Sequence, residues 1–351
     1  MTVKDLDLAK EARLYEKFLK APRPQYPFPD LVNPLSEALF LEYYQWIDED
    51  CHFESQSARD RHKRYRLCDI TSRAFPWMTL EQLRPVARFT ILLAIIDEYM
   101  DTTSQEEIEA AKQIVSALFT GLEDKEPPAS FYRQMYMIRQ DAIACGMPTH
   151  MYEEFISSIL DLINGYGEEK EYSAKSTPPS MAVYHDIRRR TSGGICYARY
   201  LCMQKNYCDL PDSVLHHPTI LRMHNLLGTL IGYHSDFISL PKELARGGDV
   251  MNLVKVVQNE SQLSLEEARA RALEIHNESL DELIRLQNTL PDFGEWQKIA
   301  QEYADDMGVL LQGVYSWHIQ SGSRYVAEAD VEPEHLTGGR VDQVDVGSDQ
   351  C

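Results

Sequence analysis

Apolar positions recur along this chain every three to four residues, and no stretch sustains an alternation of every second residue. That is the period of a helix with one buried stripe, not of a half-buried strand. The sharpest case follows Thr79-Leu80-Glu81-Gln82, where a threonine with a glutamine three residues on predicts a capped start, opening a segment that stays apolar-periodic to about Asp101. Ser264-Leu265-Glu266-Glu267 predicts a second such start after Leu263. Further helices are predicted over about 35–50, 105–122, 129–145, 150–166, 180–207, 216–240, 248–258 and 293–320. Connectors carrying Pro or Gly separate most of them, such as Glu126-Pro127-Pro128 and Gly146-Met147-Pro148. No Asn-Gly or Asp-Gly turn joins two β-branched runs, so the predicted fold class is all-α.

The ends differ from the middle. Ala21-Pro22-Arg23-Pro24 through Pro29 predicts an extended strap, and the tail after about Asp330 is acidic with few apolar residues. No composition shift marks a linker between 35 and 325, which favours one domain. The 351 residues carry 35 Lys and Arg against 55 Asp and Glu, a net charge of −20, which excludes the phosphate-neutralising surface of a nucleic-acid binder. The strongest apolar run, Phe89 to Ile96, is far shorter than the roughly 18 residues that span a bilayer, so no membrane span and a cytoplasmic location are expected. Seven cysteines without a C-x-x-C pair suggest neither a disulfide framework nor a zinc site. The oligomeric state is not legible, and a homodimer stays open.

Two groups of oxygen-bearing side chains change the picture. Asp97, Glu98 and Asp101 end the apolar segment Ile91 to Ile96, with 97 and 101 on one helical face. A solvated helix end is the bland explanation, but two repelling carboxylates directly after so apolar a run also suit a hard divalent cation. Farther on, Ser235, Ser239 and Glu243 fall at i, i+4 and i+8, one stripe that could hold another cation. Pro241 inside this stripe predicts a kink or an end to the helix near Lys242 and Glu243.

In these two motifs the chain resembles the class I terpene synthases, whose first metal motif is D-D/E-x-x-D and whose second is (N/D)-D-x-x-(S/T)-x-x-K-E. The resemblance implies metal ligation by Asp97, Glu98 and Asp101, and by Ser235, Ser239 and Glu243, with Ser235 standing where the family carries Asn or Asp. Ile187-Arg188-Arg189-Arg190-Thr191-Ser192-Gly193-Gly194 is similar to the family's diphosphate-sensing arginine and helix break. The offset of 46 between 189 and 235 matches the family spacing, which selects Arg189 as sensor and puts Ser192 and Gly193 at the linker and effector positions, the catalytic element. Trp317 through Arg324-Tyr325 resembles the closing W…RY element, in which Arg324 and Tyr325 would bond the diphosphate, with Lys242 as a further contact.

The resemblance covers roughly 30–326. It implies a class I terpenoid-synthase-like helical bundle around a central apolar cavity over 31–330, with a strap at 1–30 and a disordered tail at 331–351. It also implies three Mg2+ ions and an isoprenoid diphosphate substrate, farnesyl diphosphate by the family's habits, ionised to a carbocation and cyclised. Trp77, Phe89, Leu93, Tyr233 and Trp317 are candidates for the cavity wall, although ordinary core packing is the first expectation for each and none is given a catalytic role. A trans-prenyltransferase shares the bundle and the first motif, but Asp305-Asp306-Met307-Gly308-Val309 lacks the acid that a second Asp-rich motif needs. A non-catalytic helical binding protein is the other alternative, and it would release no diphosphate.

Overall fold

The computed structural model describes residues 22–102, 105–175, 177–246, 250–320 and 342–343, and at 97–102, 105, 110, 173–175, 245–246 and 342–343 the backbone alone. Fourteen α-helices among these residues make the fold: α1 (Ser36–Glu49), α2 (Gln56–Tyr65), α3 (Cys68–Ala74), α4 (Leu80–Thr102), α5 (Gln105–Thr120), α6 (Phe131–Ala144), α7 (Thr149–Lys175), α8 (Met181–Thr191), α9 (Gly194–Tyr200), α10 (Asp212–Leu215), α11 (Pro218–Arg246), α12 (Leu253–Ser261), α13 (Leu265–Asn288) and α14 (Gln297–Gln320). Two 3-10 turns, Leu201–Asp209 and Gly294–Trp296, join them. The extended pairing among described residues is a two-residue parallel ladder, Leu31 with Asp342 and Val32 with Gln343 (β1, Leu31–Val32; β2, Asp342–Gln343).

The capped starts are as the sequence predicts. Thr79 Oγ1 accepts from Gln82 N–H at 3.3 Å while Gln82 Oε1 accepts from Thr79 N–H at 3.1 Å, and Ser264 and Glu267 close a second capping box. Four differences have local causes. α2 was not predicted because only His62 and Tyr65 of its ten residues are buried, too few to set a period. α3 and α10 are seven and four residues long, below what a periodic pattern can show. The segment predicted from 248 starts at Leu253, where the Asn252 side chain accepts from Val254 N–H at 3.0 Å. α11 runs through Pro241 to Arg246 rather than ending there, and side-chain bonds onto Glu243 hold its last turns.

α4 packs along α6, α14 along α3, and α11 lies among α8, α9, α13 and α14. One apolar cluster runs from α1 through α4, α7, α9 and α11 to α14, and a second joins α8, α11, α12 and α13. α4 is pinned by a buried ion network: Arg88, 3 % exposed, bonds Asp50 at 2.7 Å and Asp141 at 2.6 Å, its guanidinium 4.1 Å from the Trp46 ring centre. Removing one partner would strand a buried charge, which fixes α4 against α1 and α6.

Candidate active site

α4 delivers its acidic segment at the end of a dry helix. Phe89, Ile91, Leu92, Ala94 and Ile96 are at most 1 % exposed, and Asp97, Glu98 and Asp101 occupy the final two turns. Leu93, one turn before Asp97, meets the break between α8 and α9. Gly193 has φ +76°, and a Cβ there would lie 2.8 Å from Leu93 Cδ2, so both conformation and space require glycine. Ser192 organises the break, donating to Gly228 O at 2.8 Å and accepting from Gly194 N–H at 3.2 Å. Gly228 faces back: a Cβ there would sit 2.5 Å from Arg189 O, so α8 crosses α11 at backbone contact.

The three consecutive arginines point three ways, as a 100° step per residue demands. Arg188 bonds buried Asp236 at 2.7 Å. Arg190 turns to Glu168 on α7 at 2.5 Å and to Asp186 at 3.1 Å. Arg189 reaches Asn225 of α11 at 2.7 Å and Asp186 at 2.9 Å, on the side of the helix crossing.

On α11 the structure joins two members of the predicted stripe and modifies the third. Ser239 Oγ–H donates to Glu243 Oε1 at 2.5 Å, and Asn252 Nδ2 donates to Glu243 Oε2 at 2.9 Å. Asn252, fully buried, also donates to Asp236 O at 2.9 Å, so one amide ties the start of α12 to two turns of α11. Ser235 Oγ–H donates to Ile231 O at 2.7 Å, with His318 Nε2 of α14 at 3.4 Å. Asp236, next to Ser235, is 0 % exposed and accepts from Tyr184, Arg188 and Leu253 N–H. Burial pushes its carboxyl up, against the pull of Arg188 and these donors.

Asn252, His318 and the groups behind them were not singled out in the sequence. An asparagine before an apolar run does signal a helix cap, but its second role depends on tertiary contact. Behind Ser235 lies a buried polar chain. His318 Nδ1 is 3.0 Å from Val314 O and 3.2 Å from His234 Nε2; His234 Nδ1 is 2.9 Å from the Tyr26 hydroxyl; that hydroxyl is 2.8 Å from His276 Nε2; His276 Nδ1 is 3.1 Å from Asn277 Oδ1. Burial pushes the His276 imidazole down to about 4, and burial with the neighbouring His318, His276 and Arg188 holds His234 well below its ordinary value.

The other predicted residues are dispersed. Phe89 packs edge-on against Phe155 and Tyr197 inside the core. Trp317 is 1 % exposed and donates from Nε1 to Tyr65 O at 3.0 Å. Trp77 sits at the opposite end of α4 from Asp97, with the Lys205 ammonium 3.6 Å from its ring centre. Tyr233 belongs to the α8–α13 cluster, stacked on Tyr184 and bonded to His185 Nδ1 at 2.9 Å, which places it in a helix interface rather than a cavity wall. Lys242 lies on the exposed side of α11. Arg324 and Tyr325 fall outside the described residues. Among the described residues no three His, Cys, Asp or Glu side chains converge as metal ligands. An open depression of about 630 Å³ near Glu109, Lys112 and Leu122 lies on α5, away from these helices.

An all-helical bundle with acids closing one helix, an oxygen stripe on another and a glycine-broken helix between them defines a class I terpenoid-synthase fold. Solved structures agree: germacradien-4-ol synthase from Streptomyces citricolor matches with a TM-score of 0.71 at 20% identity, over 85% of this chain and 98% of that one. Hedycaryol synthase in complex with nerolidol matches at 0.69 and 19%, over 85% and 99%. The model of terpene synthase family 2, C-terminal metal binding, covers residues 88–282, more than half of the chain, and the chain belongs to this family. It is a terpene synthase, a lyase of prenyl diphosphates in a family defined by metal binding. Sesquiterpene synthase 9 of Postia placenta is 25% identical over 311 residues, 86% of each chain, and a delta(6)-protoilludene synthase of Stereum hirsutum is 26% identical over 334 residues, 92% of this chain and 86% of that one.

Proposed function

We propose that the chain is a magnesium-dependent sesquiterpene cyclase acting on farnesyl diphosphate. The C1–O bond breaks, diphosphate leaves with the electron pair, and the allylic cation closes rings until a proton is lost or water adds, giving a cyclic hydrocarbon or alcohol. The observation that carries this reading is the Ser239–Glu243–Asn252 cluster, a carboxylate that accepts from a hydroxyl one turn earlier and from a buried amide of the next helix. An all-oxygen donor set of this kind fits magnesium. The names of the relatives supply the chain-length preference.

Asp97, Glu98 and Asp101 would share the cations with Ser235, Ser239 and Glu243, three ions by the family's pattern. A bound divalent cation would neutralise the departing diphosphate. Arg189, Lys242, Arg324 and Tyr325 would grip its oxygens, and a guanidinium fork suits that geometry. Ser192 and Gly193 turn the chain at the helix break so that backbone dipoles can meet developing positive charge. The apolar face of α4, with Phe89 and Leu93, would keep water from the cation. Residues 31–330 would form the catalytic domain, with 1–30 as its strap and 331–351 as a tail that is not wholly detached, since Asp342 and Gln343 pair with Leu31 and Val32.

A prenyltransferase would need a second acidic site, and Asp306 does not supply one: it is buried and bonded by Tyr207 at 2.7 Å, Gln204 at 2.9 Å and Lys205 at 3.0 Å. The test is incubation of purified protein with geranyl, farnesyl and geranylgeranyl diphosphates, with magnesium or EDTA, and mass spectrometry of the extract. A cyclic C15 product that EDTA abolishes is expected. Longer linear diphosphates formed with isopentenyl diphosphate would overturn the cyclase reading.

A further inference from the structure

Ser235 poses a specific problem: a hydroxyl is a short ligand, and it serves a cation only if its proton points away. We propose that Tyr26, His234 and His318 are positioning residues that orient the Ser235 hydroxyl toward the cation, making the N-terminal strap part of the metal site. The inference rests on the metal-dependent reading above.

The donor order of the chain follows from its fixed ends. The Val314 carbonyl can only accept, so His318 Nδ1 carries a proton, which it also offers to His234 at 3.2 Å. His234 Nε2 therefore accepts, and its Nδ1–H donates to the Tyr26 oxygen at 2.9 Å. Tyr26 O–H is left to donate to His276 Nε2 at 2.8 Å, and His276 Nδ1–H donates to Asn277 Oδ1 at 3.1 Å. Both ends of the chain demand the same order. With one proton on each imidazole, Nε2 of His318 faces Ser235, whose proton then has two acceptors, Ile231 O at 2.7 Å and Nε2 at 3.4 Å, both within the protein. The oxygen lone pairs are then left for a cation. An asparagine at 235 would need none of this, because its carbonyl oxygen carries no proton.

The strap does not depend on this chain for its attachment. Tyr315 O–H donates to Pro24 O, Arg73 bonds Asp30 at 2.7 Å, and Phe28 covers Gly308. Tyr26→Phe therefore removes the hydroxyl while leaving the strap docked.

The experiment compares wild type, Tyr26→Phe, Ser235→Asn and the double variant. Calorimetric binding of magnesium with inorganic diphosphate is read beside the magnesium concentration giving half-maximal turnover and the melting temperature. The expected result is a loss of roughly tenfold in metal affinity for Tyr26→Phe, the scale seen when an outer partner of a ligand is removed. The melting temperature should barely move, and the loss should disappear in the Ser235→Asn background. An equal loss in both backgrounds, or a lowered melting temperature with metal affinity unchanged, would make Tyr26 merely structural and overturn the proposal. Wild-type protein that binds no magnesium with diphosphate would instead sink the metal-dependent reading itself.

Discussion

Glu243 is held before any cation arrives by Ser239 from its own helix and Asn252 from the next, with the Lys255 ammonium 3.9 Å away. Asn252→Ala should raise the magnesium requirement by about tenfold, as removal of an orienting neighbour does, with a modest fall in melting temperature. Asn252→Asp should be worse, since a second carboxylate would face Glu243, and magnesium titration of the three proteins checks the order. Asp97→Ala is expected to abolish turnover with an unchanged circular dichroism spectrum; a variant retaining most activity would remove Asp97 from the mechanism. The Ser235, Ser239 and Glu243 stripe was legible because it is a property of one helix's period. Asn252, His234 and His318 were not, because a hydrogen bond between elements leaves no local pattern.

Helix boundaries were legible where a capping side chain opens a long apolar-periodic run, and Asn252 and Ser55 were missed because no such run follows them. Thr79 and Ser264 each precede an apolar-periodic run, whereas Ser55 caps α2 at 3.1 Å but no apolar period follows it. Pro241 misled in the other direction: it removes one internal bond, and Glu243, tied to Ser239 and Asn252, keeps the helix going. The break at Ser192 and Gly193 was readable as a break, but its position against Leu93 was not. Gly193→Ala should destabilise by about 1–2 kcal/mol from its left-handed backbone alone and further from the Leu93 contact. Adding Leu93→Ala should recover only the contact part, leaving the backbone strain, as thermal melting of single and double variants would show.

At the scale of the whole molecule, burial of imidazoles sets how stability depends on pH. His224, bonded to Tyr303 at 2.9 Å, is pushed down to about 3 by burial, with Arg199 adding to it, and His276 to about 4. An unfolded histidine titrates near 6.5, so below that pH the unfolded chain binds protons that the native protein refuses. Stability is therefore fully present above about 6.5 and is lost as pH falls toward 4. His224→Gln should flatten that slope, measured as melting temperature across the same range; an unchanged slope would assign it to other groups.

The strap has a further consequence, one of timing. Pro24 and its partner Tyr315 are 291 residues apart. At about 5–20 residues per second, the strap waits roughly 15–60 s on the ribosome before α14 exists to receive it. Phe28, which covers Gly308 of α14, stays uncovered for nearly that whole interval, available to chaperones and proteases. If the strap completes the metal site, as the Tyr26 chain implies, a half-made enzyme cannot ionise substrate and release a carbocation into an unfinished cavity.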